Sequence, residues 1–179
     1  RMWRAFDGAV HLRSLNVAAA LQLERLVLTM ASNGDHRLDL NLSVCTKLKY
    51  IELDIAHLTS LNVTQCTKLT QIRISNTFQL RTLQCRHCKV LELVAVPADT
   101  VESAGLSGCN ALNLELLLNE DNFLMASLSN GAMTTLDLSK IHHLSMENVD
   151  GILNHGNGLR ALSVDDCKLI PKLWVNGIH

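Results

Sequence analysis

LNLSVCTKL at residues 40–48 and LNVTQCTKL at residues 61–69 are nearly the same phrase, placed 21 positions apart. Repetition at a regular spacing is typical of folds built from stacked, similar units. The phrase, L-x-[LV]-x-x-C-x-x-L, returns in altered form at residues 15–23, 83–91, 104–112, 136–144 and 162–170. Its sixth position, which we call the slot, is held by Ala20, Cys45, Cys66, Cys88, Cys109, Ile141 and Cys167. Seven occurrences predict seven stacked units.

The apolar pattern of the phrase predicts a short strand followed by a turn. Alternate side chains of a strand point to the same face, so Leu61 and Val63 are expected to point inward while Asn62 points outward. The chain then turns, and the slot residue Cys66 and Leu69 are expected to point inward as well. One such unit cannot bury its own apolar face, whereas stacked units can, each contacting mainly its neighbours.

The spacing of the phrases predicts two different halves. Between Cys45 and Cys109 the period is 21–22 residues, and each unit holds two strand-like phrases whose starts lie only 10 or 11 residues apart. That length leaves no room for an ordinary helix, so the side opposite the repeated strand should be extended or 3₁₀. Beyond Cys109 the spacing lengthens, and the irregular interval 109–141 has room for a degenerate repeat.

Two segments of the second half are typical of short helices. They are NEDNFLMASLSNG at 119–131 and ENVDGILNHGNG at 147–158. Each ends at a glycine that can adopt the left-handed conformation of a helix C-terminus. The second half is therefore expected to alternate strands with helices.

These phrases resemble the leucine-rich repeat family, whose signature is L-x-x-L-x-L-x-x-[NC]-x-L. The first half is similar to the short-repeat class of bacterial surface and internalin-like proteins, with its ladder of inward cysteines. The second half is similar to the repeats of about 26 residues found in F-box proteins. The resemblance implies a right-handed α/β solenoid with a parallel, concave β-sheet. It also implies an extended or 3₁₀ convex side in the first half and short helices in the second.

The resemblance also divides the chain. Residues 12–179 would form a leucine-rich repeat domain of about seven coils. Residues 1–11, with their Trp and Arg just before the first strand, are similar to the way an F-box runs into its repeats, and they predict an N-terminal helix or the remnant of a preceding segment. The chain opens on Arg1, and the apolar pattern continues to its last residues. We therefore expect a fragment of a longer protein.

Composition narrows the class of partner. The 179-residue chain has a formal net charge of −1, and only 18% of its residues are charged. This balance does not predict binding to nucleic acid or to an anionic membrane. No apolar run reaches the roughly 18 residues of a membrane span. The expected partner is another protein or other domains of the same chain.

The cysteines invite two chemical interpretations. The CRHC motif at 85–88 could be a redox pair or half of a zinc site. Cys85, however, falls where Val63 falls in its own phrase, and no second C-x-x-C exists to complete a zinc site. Core packing is the interpretation we favour, with free thiols rather than disulfides, which indicates a reducing, cytoplasmic compartment. The predicted structural ladder consists of Cys45, Cys66, Cys88, Cys109 and Cys167.

Two sequons keep an extracellular alternative open. Asn41-Leu-Ser and Asn62-Val-Thr match the N-glycosylation pattern, and both asparagines take the same outward position in adjacent units. Two glycans would crowd each other there, so asparagine is more simply a preference of this outward column. The column consists of Asn16, Asn41, Asn62, Gln84, Gly105, Asp137 and Ser163.

The sequence predicts no catalytic residue, cofactor or metal site. His142 and His143 are interpreted as solvated loop residues, because a metal needs more convergent ligands. The candidate binding residues on the concave face are Asn62, Thr64, Arg81, Gln84, Arg86 and Arg160. We therefore expect a non-catalytic protein–protein interaction scaffold, a recognition module of a larger intracellular protein. The alternative is a fragment of a secreted or cell-surface adhesin or receptor.

Overall fold

The structure, a computed structural model, describes residues 2–5, 12–30, 37–97 and 99–171 of the chain. The strands are β1 (Met2–Ala5), β2 (Ser14–Asn16), β3 (Arg25–Met30), β4 (Leu38–Asn41), β5 (Tyr50–Ile55), β6 (Leu58–Asn62), β7 (Gln71–Ser75), β8 (Thr82–Gln84), β9 (Leu93–Ala95), β10 (Ser103–Gly105), β11 (Thr135–Asp137) and β12 (Ala161–Ser163). The helices are α1 (Leu114–Leu117), α2 (Phe123–Ser129) and α3 (Met146–His155).

The strands form two parallel sheets. The five-stranded sheet has the order β1-β3-β5-β7-β9, and the seven-stranded sheet has the order β12-β11-β10-β8-β6-β4-β2. From β2 to β10 the chain alternates between the sheets, as the short spacing between strand-like phrases predicts. Helices then replace the second strand: α1 and α2 lie between β10 and β11, and α3 lies between β11 and β12. This α/β arrangement is compatible with a solenoid.

The core lies between the two layers and uses the residues that the alternation predicts. Leu61, Val63, Cys66 and Leu69 are all 0% exposed, whereas Asn62 is half-buried. Neighbouring strands align the same positions of each phrase, so that Leu61 has Leu40 and Leu83 as its Cα partners. Each apolar side chain is thereby covered by its counterparts in the adjacent strands.

The turn that follows each strand of the seven-stranded sheet has one backbone feature in common. The residue before each slot adopts a positive φ between 55° and 71°, and these residues are Ala19, Val44, Gln65, His87, Gly108, Lys140 and Asp166. The backbone N–H groups of the first six donate to carbonyl oxygens of the neighbouring turn, for example Val44 N to Thr64 O at 2.8 Å and Gln65 N to Arg86 O at 2.8 Å. The left-handed conformation therefore serves the pairing of successive turns.

Val44 is the most strained of these residues, because a β-branched side chain is disfavoured at positive φ. We expect Val44→Gly to raise the free energy of unfolding by about 1 kcal/mol, since glycine adopts this conformation without a steric cost. Urea denaturation would measure the change. Thr46→Gly, in the same turn but outside the positive-φ set, is the control and should destabilise. Equal destabilisation by both would contradict the prediction.

Both predicted helices form, but their C-terminal ends differ from each other. α2 begins after Asn122, whose side chain accepts a hydrogen bond from the Leu124 N–H, and it is followed by Gly131 at φ 78°, as predicted. α3 is followed by Gly156 at φ −78°, and Gly158, at which the predicted segment ends, has no positive φ either, so the predicted left-handed cap is wrong. The Nδ1 atom of His155 instead lies 2.8 Å from a carbonyl oxygen in the last turn.

Two other expectations need comment. Within residues 1–11 the sequence predicts a helix or the remnant of a preceding segment; Met2–Ala5 form a strand that pairs with β3, so the helix is wrong there, and the remaining residues lie outside the described part. The interval 109–141 holds α1 and α2, and β10 pairs directly with β11, so it contains no additional strand of the seven-stranded sheet. The apolar pattern of residues 172–179 also lies outside the described residues.

The five-stranded sheet ends at β9 because the following segment occupies its edge. The Asn113 N–H donates to the Glu92 carbonyl at 3.1 Å, and the Asn122 side-chain amide donates to the Val94 carbonyl at 3.5 Å. These donors satisfy backbone acceptors that another strand would otherwise use. The change from strand to helix therefore coincides with an edge closed by asparagines.

Candidate functional site

The outward column of the sequence becomes one continuous row on the seven-stranded sheet. Strand pairing joins its members as successive Cα partners, in the order Asn16, Asn41, Asn62, Gln84, Gly105, Asp137 and Ser163. Neighbours in such a row are about 4.8 Å apart. The sheet therefore presents a line of polar side chains at the carboxyl ends of its strands, with one gap at Gly105.

The amide and carboxylate members of this row also end the strands. The Oδ1 atoms of Asn16, Asn41 and Asn62 each accept the backbone N–H of the residue two positions later, at 3.0–3.1 Å. Asp137 accepts the Ser139 N–H in the same way at 3.1 Å. This Asx-turn geometry is a physical reason for the preference for asparagine in the column. The two sequon asparagines therefore have a role in the turn itself.

Gly105 leaves a gap in the row that longer side chains fill. A Cβ atom at this position would overlap Gln84 Oε1 and would lie 3.1 Å from Arg86 Nε. Arg86 extends across the gap and pairs with Asp137, with 3.1 Å between Nε and Oδ2. Gln84 Oε1 is buried and has no hydrogen-bond partner among the described residues. The centre of the face is thus a cationic group held over a glycine.

The structure separates the six candidate binding residues into two places. Asn62, Thr64, Gln84 and Arg86 lie together at the carboxyl ends of β6 and β8 or in the turns that follow. Arg81 and Arg160 lie at the opposite ends of their strands. Arg81 precedes β8 and is ion-paired with Glu102. Arg160 precedes β12, three strands away in the sheet order. The six residues do not form one cluster.

An open groove of about 460 Å³ lies beside Arg81. It is lined by residues from the loops that enter β8, β10 and β11 and by the end of α2, namely Arg81, Asp99, Thr100, Glu102, Asn130, Gly131, Ala132 and Thr134. The sequence interpretation missed it, although Glu102 follows Arg81 by one repeat period. The period alone could have placed these two residues side by side.

The outer face of the five-stranded sheet carries a second group that the sequence interpretation missed. The Arg25 guanidinium lies 4.7 Å from the centre of the Tyr50 ring and 3.4 Å from a carboxylate oxygen of Glu52. The Tyr50 hydroxyl donates to the same carboxylate at 3.1 Å. Arg25 and Tyr50 are partners in the strand register, so periodicity could have indicated their contact.

The five slot cysteines lie in the core and form no disulfide, and the same is true of Cys85. Their Sγ atoms lie within hydrogen-bonding distance of backbone carbonyls in the preceding unit, at 2.9–3.3 Å, in the pairs Cys45–Val17, Cys66–Leu42, Cys88–Val63, Cys109–Cys85 and Cys167–Leu138. Burial raises the pKa of the Cys66 thiol to about 12 and holds the pKa of Cys85 well above its usual range. A hydrogen bond with Cys109 and burial also raise the pKa of Cys88, so both members of the CRHC motif are protonated core groups.

We expect the thiols to react with Ellman's reagent at about pH 8 only after unfolding, because the thiolate is the reactive form and burial disfavours it. Titration with and without denaturant measures this, and rapid reaction of the native protein would contradict it.

The raised pKa values of the buried thiols also predict how stability depends on pH. Stability should fall above pH 9, the ordinary thiol pKa, because unfolded thiols lose protons there while buried thiols keep them.

The described ranges contain no cluster of metal ligands and no helix that could span a membrane. Within residues 12–30, 37–97 and 99–171, no three His, Cys, Asp or Glu side chains lie together as metal ligands would. His142 and His143 are both exposed. None of the helices in the described part is long and apolar enough to cross a membrane.

Comparison with known proteins does not assign the chain to a family. No protein-family model matches the chain, and no curated protein matches it.

Proposed function

We propose that the chain is a leucine-rich repeat module that acts as a non-catalytic protein–protein interaction scaffold in a larger intracellular protein. One observation carries the proposal: on one face, six of seven parallel strands hold a polar side chain in the same row, and Gln84 and Arg86 fill the gap at Gly105. Buried leucines fix those strands, so the row is rigid before any partner binds. A rigid, extended surface binds macromolecules with a small loss of conformational entropy.

The ion pairs on this sheet can be exchanged for ion pairs with a partner protein. Arg86 pairs with Asp137, and Arg81 pairs with Glu102; both arginine side chains are about half exposed, at 47% and 52%. Arg81 and Glu102 are both exposed, and pairs of this kind contribute only about 0–1 kcal/mol, so a carboxylate of a partner can replace Glu102 at little cost. Asp137 is only 20% exposed, and Arg86 offers a partner the exposed part of its own side chain. Arginine is frequent among residues that dominate interface energies.

The cysteines support the absence of catalysis and the choice of compartment. A catalytic thiol needs a lowered pKa and access to substrate, whereas burial raises the pKa of Cys45, Cys66 and Cys85. Six free thiols inside one small core also fit a reducing environment. The proposed location is therefore the cytoplasm.

An affinity capture experiment tests the proposal. The chain is used as bait in source lysate, beside an Arg81→Glu/Arg86→Glu variant and a control, Arg25→Glu/Arg73→Glu, with the same charge change on the five-stranded sheet. We expect specific partners to be lost in the first variant and kept in the control. Partners lost only in the control would indicate that the binding surface lies on the five-stranded sheet. Failure to capture any specific partner would contradict the proposal and favour a structural spacer.

A further inference from the structure

The seven slot turns form one edge of the molecule, which we call the turn edge. It consists of residues 18–22, 43–47, 64–68, 86–90, 107–111, 139–143 and 165–169. Six backbone hydrogen bonds of 2.7–2.8 Å join each turn to the next, from Ala19 N to Ser43 O at one end to Lys140 N to Asp165 O at the other. The turns are therefore stacked in sequence order along a single line.

The turn edge is basic although the whole chain is not. Its seven turns contain six basic residues, namely Lys47, Lys68, Arg86, Lys89, Lys140 and Lys168. They contain only two acidic residues, Asp165 and Asp166, both in the last turn. The complete chain has a formal charge of −1. The turns carry a net charge of +4 from these residues, and the other residues of the chain, with 10 Lys or Arg and 15 Asp or Glu, carry −5.

The lysines of the turn edge are exposed and are not neutralised within the described part of the chain. Lys68, Lys89, Lys140 and Lys168 form no ion pair with any described residue, and Lys47 donates to the neutral side chain of Gln22 at 2.9 Å. Of the lysines and arginines on the turn edge, only Arg86 forms an ion pair within the described ranges, with Asp137. The five lysines therefore lack the charge compensation found elsewhere on the molecule.

Aliphatic side chains are interspersed among these lysines. Leu21, Val44, Val90 and Leu169 are 52%, 37%, 40% and 57% exposed. Each belongs to a different turn, and they account for four of the seven large exposed hydrophobic residues in the described ranges. The turn edge therefore offers both aliphatic contacts and positive charge.

We propose that the turn edge binds an extended, acidic segment of a partner protein, with aliphatic side chains between its carboxylates; this rests on the proposed function. Seven turns spaced by about 4.8 Å extend over about 29 Å, the length of roughly nine residues of extended chain. Carboxylates of such a segment complement the uncompensated lysines, and its aliphatic side chains complement the exposed valines and leucines.

The composition of the turn edge favours a protein over other anionic partners. The seven turns contain no Phe, Trp or Tyr, and their one arginine, Arg86, is paired with Asp137. Proteins that bind single-stranded nucleic acid generally stack bases on aromatic side chains. Proteins that bind a membrane surface generally do so through a continuous apolar face. The four aliphatic residues here lie in separate turns.

Fluorescence anisotropy with a labelled peptide of about ten residues, in which glutamate alternates with leucine, tests the inference. A Lys47→Glu/Lys68→Glu/Lys89→Glu variant should bind this probe at least about tenfold more weakly than the unaltered chain. The control, Arg13→Glu/Arg37→Glu/Arg73→Glu, has the same charge change elsewhere and should lose less than about threefold. A glutamate–serine peptide should bind more weakly than the glutamate–leucine peptide.

Three results would overturn the inference. They are equal loss in the two charge-reversed variants, no binding of the glutamate–leucine peptide by the unaltered chain, and tighter binding to oligo(dT) or to phosphatidylserine vesicles than to the peptide. Circular dichroism checks that each variant is folded, and Lys→Gln replacements at the same three positions repeat the measurement if the glutamate variant is not. With glutamine as with glutamate at these positions, the lysine variant is expected to bind the glutamate–leucine peptide more weakly than the unaltered chain.

The capture experiment separates this inference from the proposed function. Partners that survive both the lysine variant and competition by the glutamate–leucine peptide would refute the turn edge as their binding site and leave the scaffold function intact. Partners released by the peptide and absent with the lysine variant would support both. If the unaltered chain captures no specific partner, the proposed function fails whatever the peptide measurement gives.

Discussion

Replacing Leu61 with alanine should lower the free energy of unfolding by about 2–5 kcal/mol, the range for truncating a buried leucine. Leu61 is 0% exposed and lies between Leu40 and Leu83 in the register of the seven-stranded sheet. Both neighbours are held by their own strands, so they cannot collapse into the cavity. Urea denaturation followed by circular dichroism measures the loss as a lower midpoint with an unchanged slope.

Asn62→Ala is the matched control, because it changes the next residue on the opposite face. It removes one hydrogen bond, from the Thr64 N–H to the Asn62 side chain at 3.0 Å. Such a bond is worth about 0.5–1.5 kcal/mol, well below the loss expected at Leu61. A larger effect at Asn62 than at Leu61 would show that the inward and outward faces are assigned the wrong way round.

Gly158→Ala should destabilise the protein by about 3 kcal/mol, at the upper end of overpacking effects. A Cβ atom at this position would overlap the carbonyl oxygen of Gly131 and lie only 2.8 Å from its carbonyl carbon. These are backbone atoms, and Gly131 is fixed by its φ of 78° and by a hydrogen bond to Leu128. The clash therefore separates the loops that follow α2 and α3. Thermal unfolding measures the effect as a lower Tm.

Gly151→Ala is the control for this prediction, since nothing lies within 4 Å of the position of its Cβ atom. Gly151 is inside α3, where alanine is preferred over glycine by about 1 kcal/mol, so this variant should be more stable. A neutral or stabilising effect of Gly158→Ala would mean that the two loops are not in the close contact described.

The layout of the fold could be predicted because its strands obey short-range rules. The alternation at Leu61 and Val63 identifies the buried face, and the spacing of 10 or 11 residues between strand starts excludes a helix in the first half. The helix at 123–129 follows from the segment 119–131 and the glycine that ends it. Each of these inferences uses residues close together in the chain.

Features that depend on distant residues could not be predicted. Arg86 reaches Asp137, 51 residues away, only because Gly105 has no side chain in between. The positive φ values at Val44 and Gln65 are imposed by hydrogen bonds to the next turn, and neither residue type indicates them. The strand at Met2–Ala5 forms by pairing with β3, which overrides the local pattern. The candidate binding residues were split for the same reason.

The replacement of strands by helices after β9 has a consequence for the curvature of the seven-stranded sheet. Paired strands are about 4.8 Å apart, whereas packed helices require about 8–10 Å between their axes. Between β2 and β8 the two sheets have equal spacing, and little bending results. Beside β11 and β12, α2 and α3 contact each other and occupy a wider layer. We therefore expect the sheet to bend toward its solvent-exposed face there, with a smaller radius of curvature than in the first half.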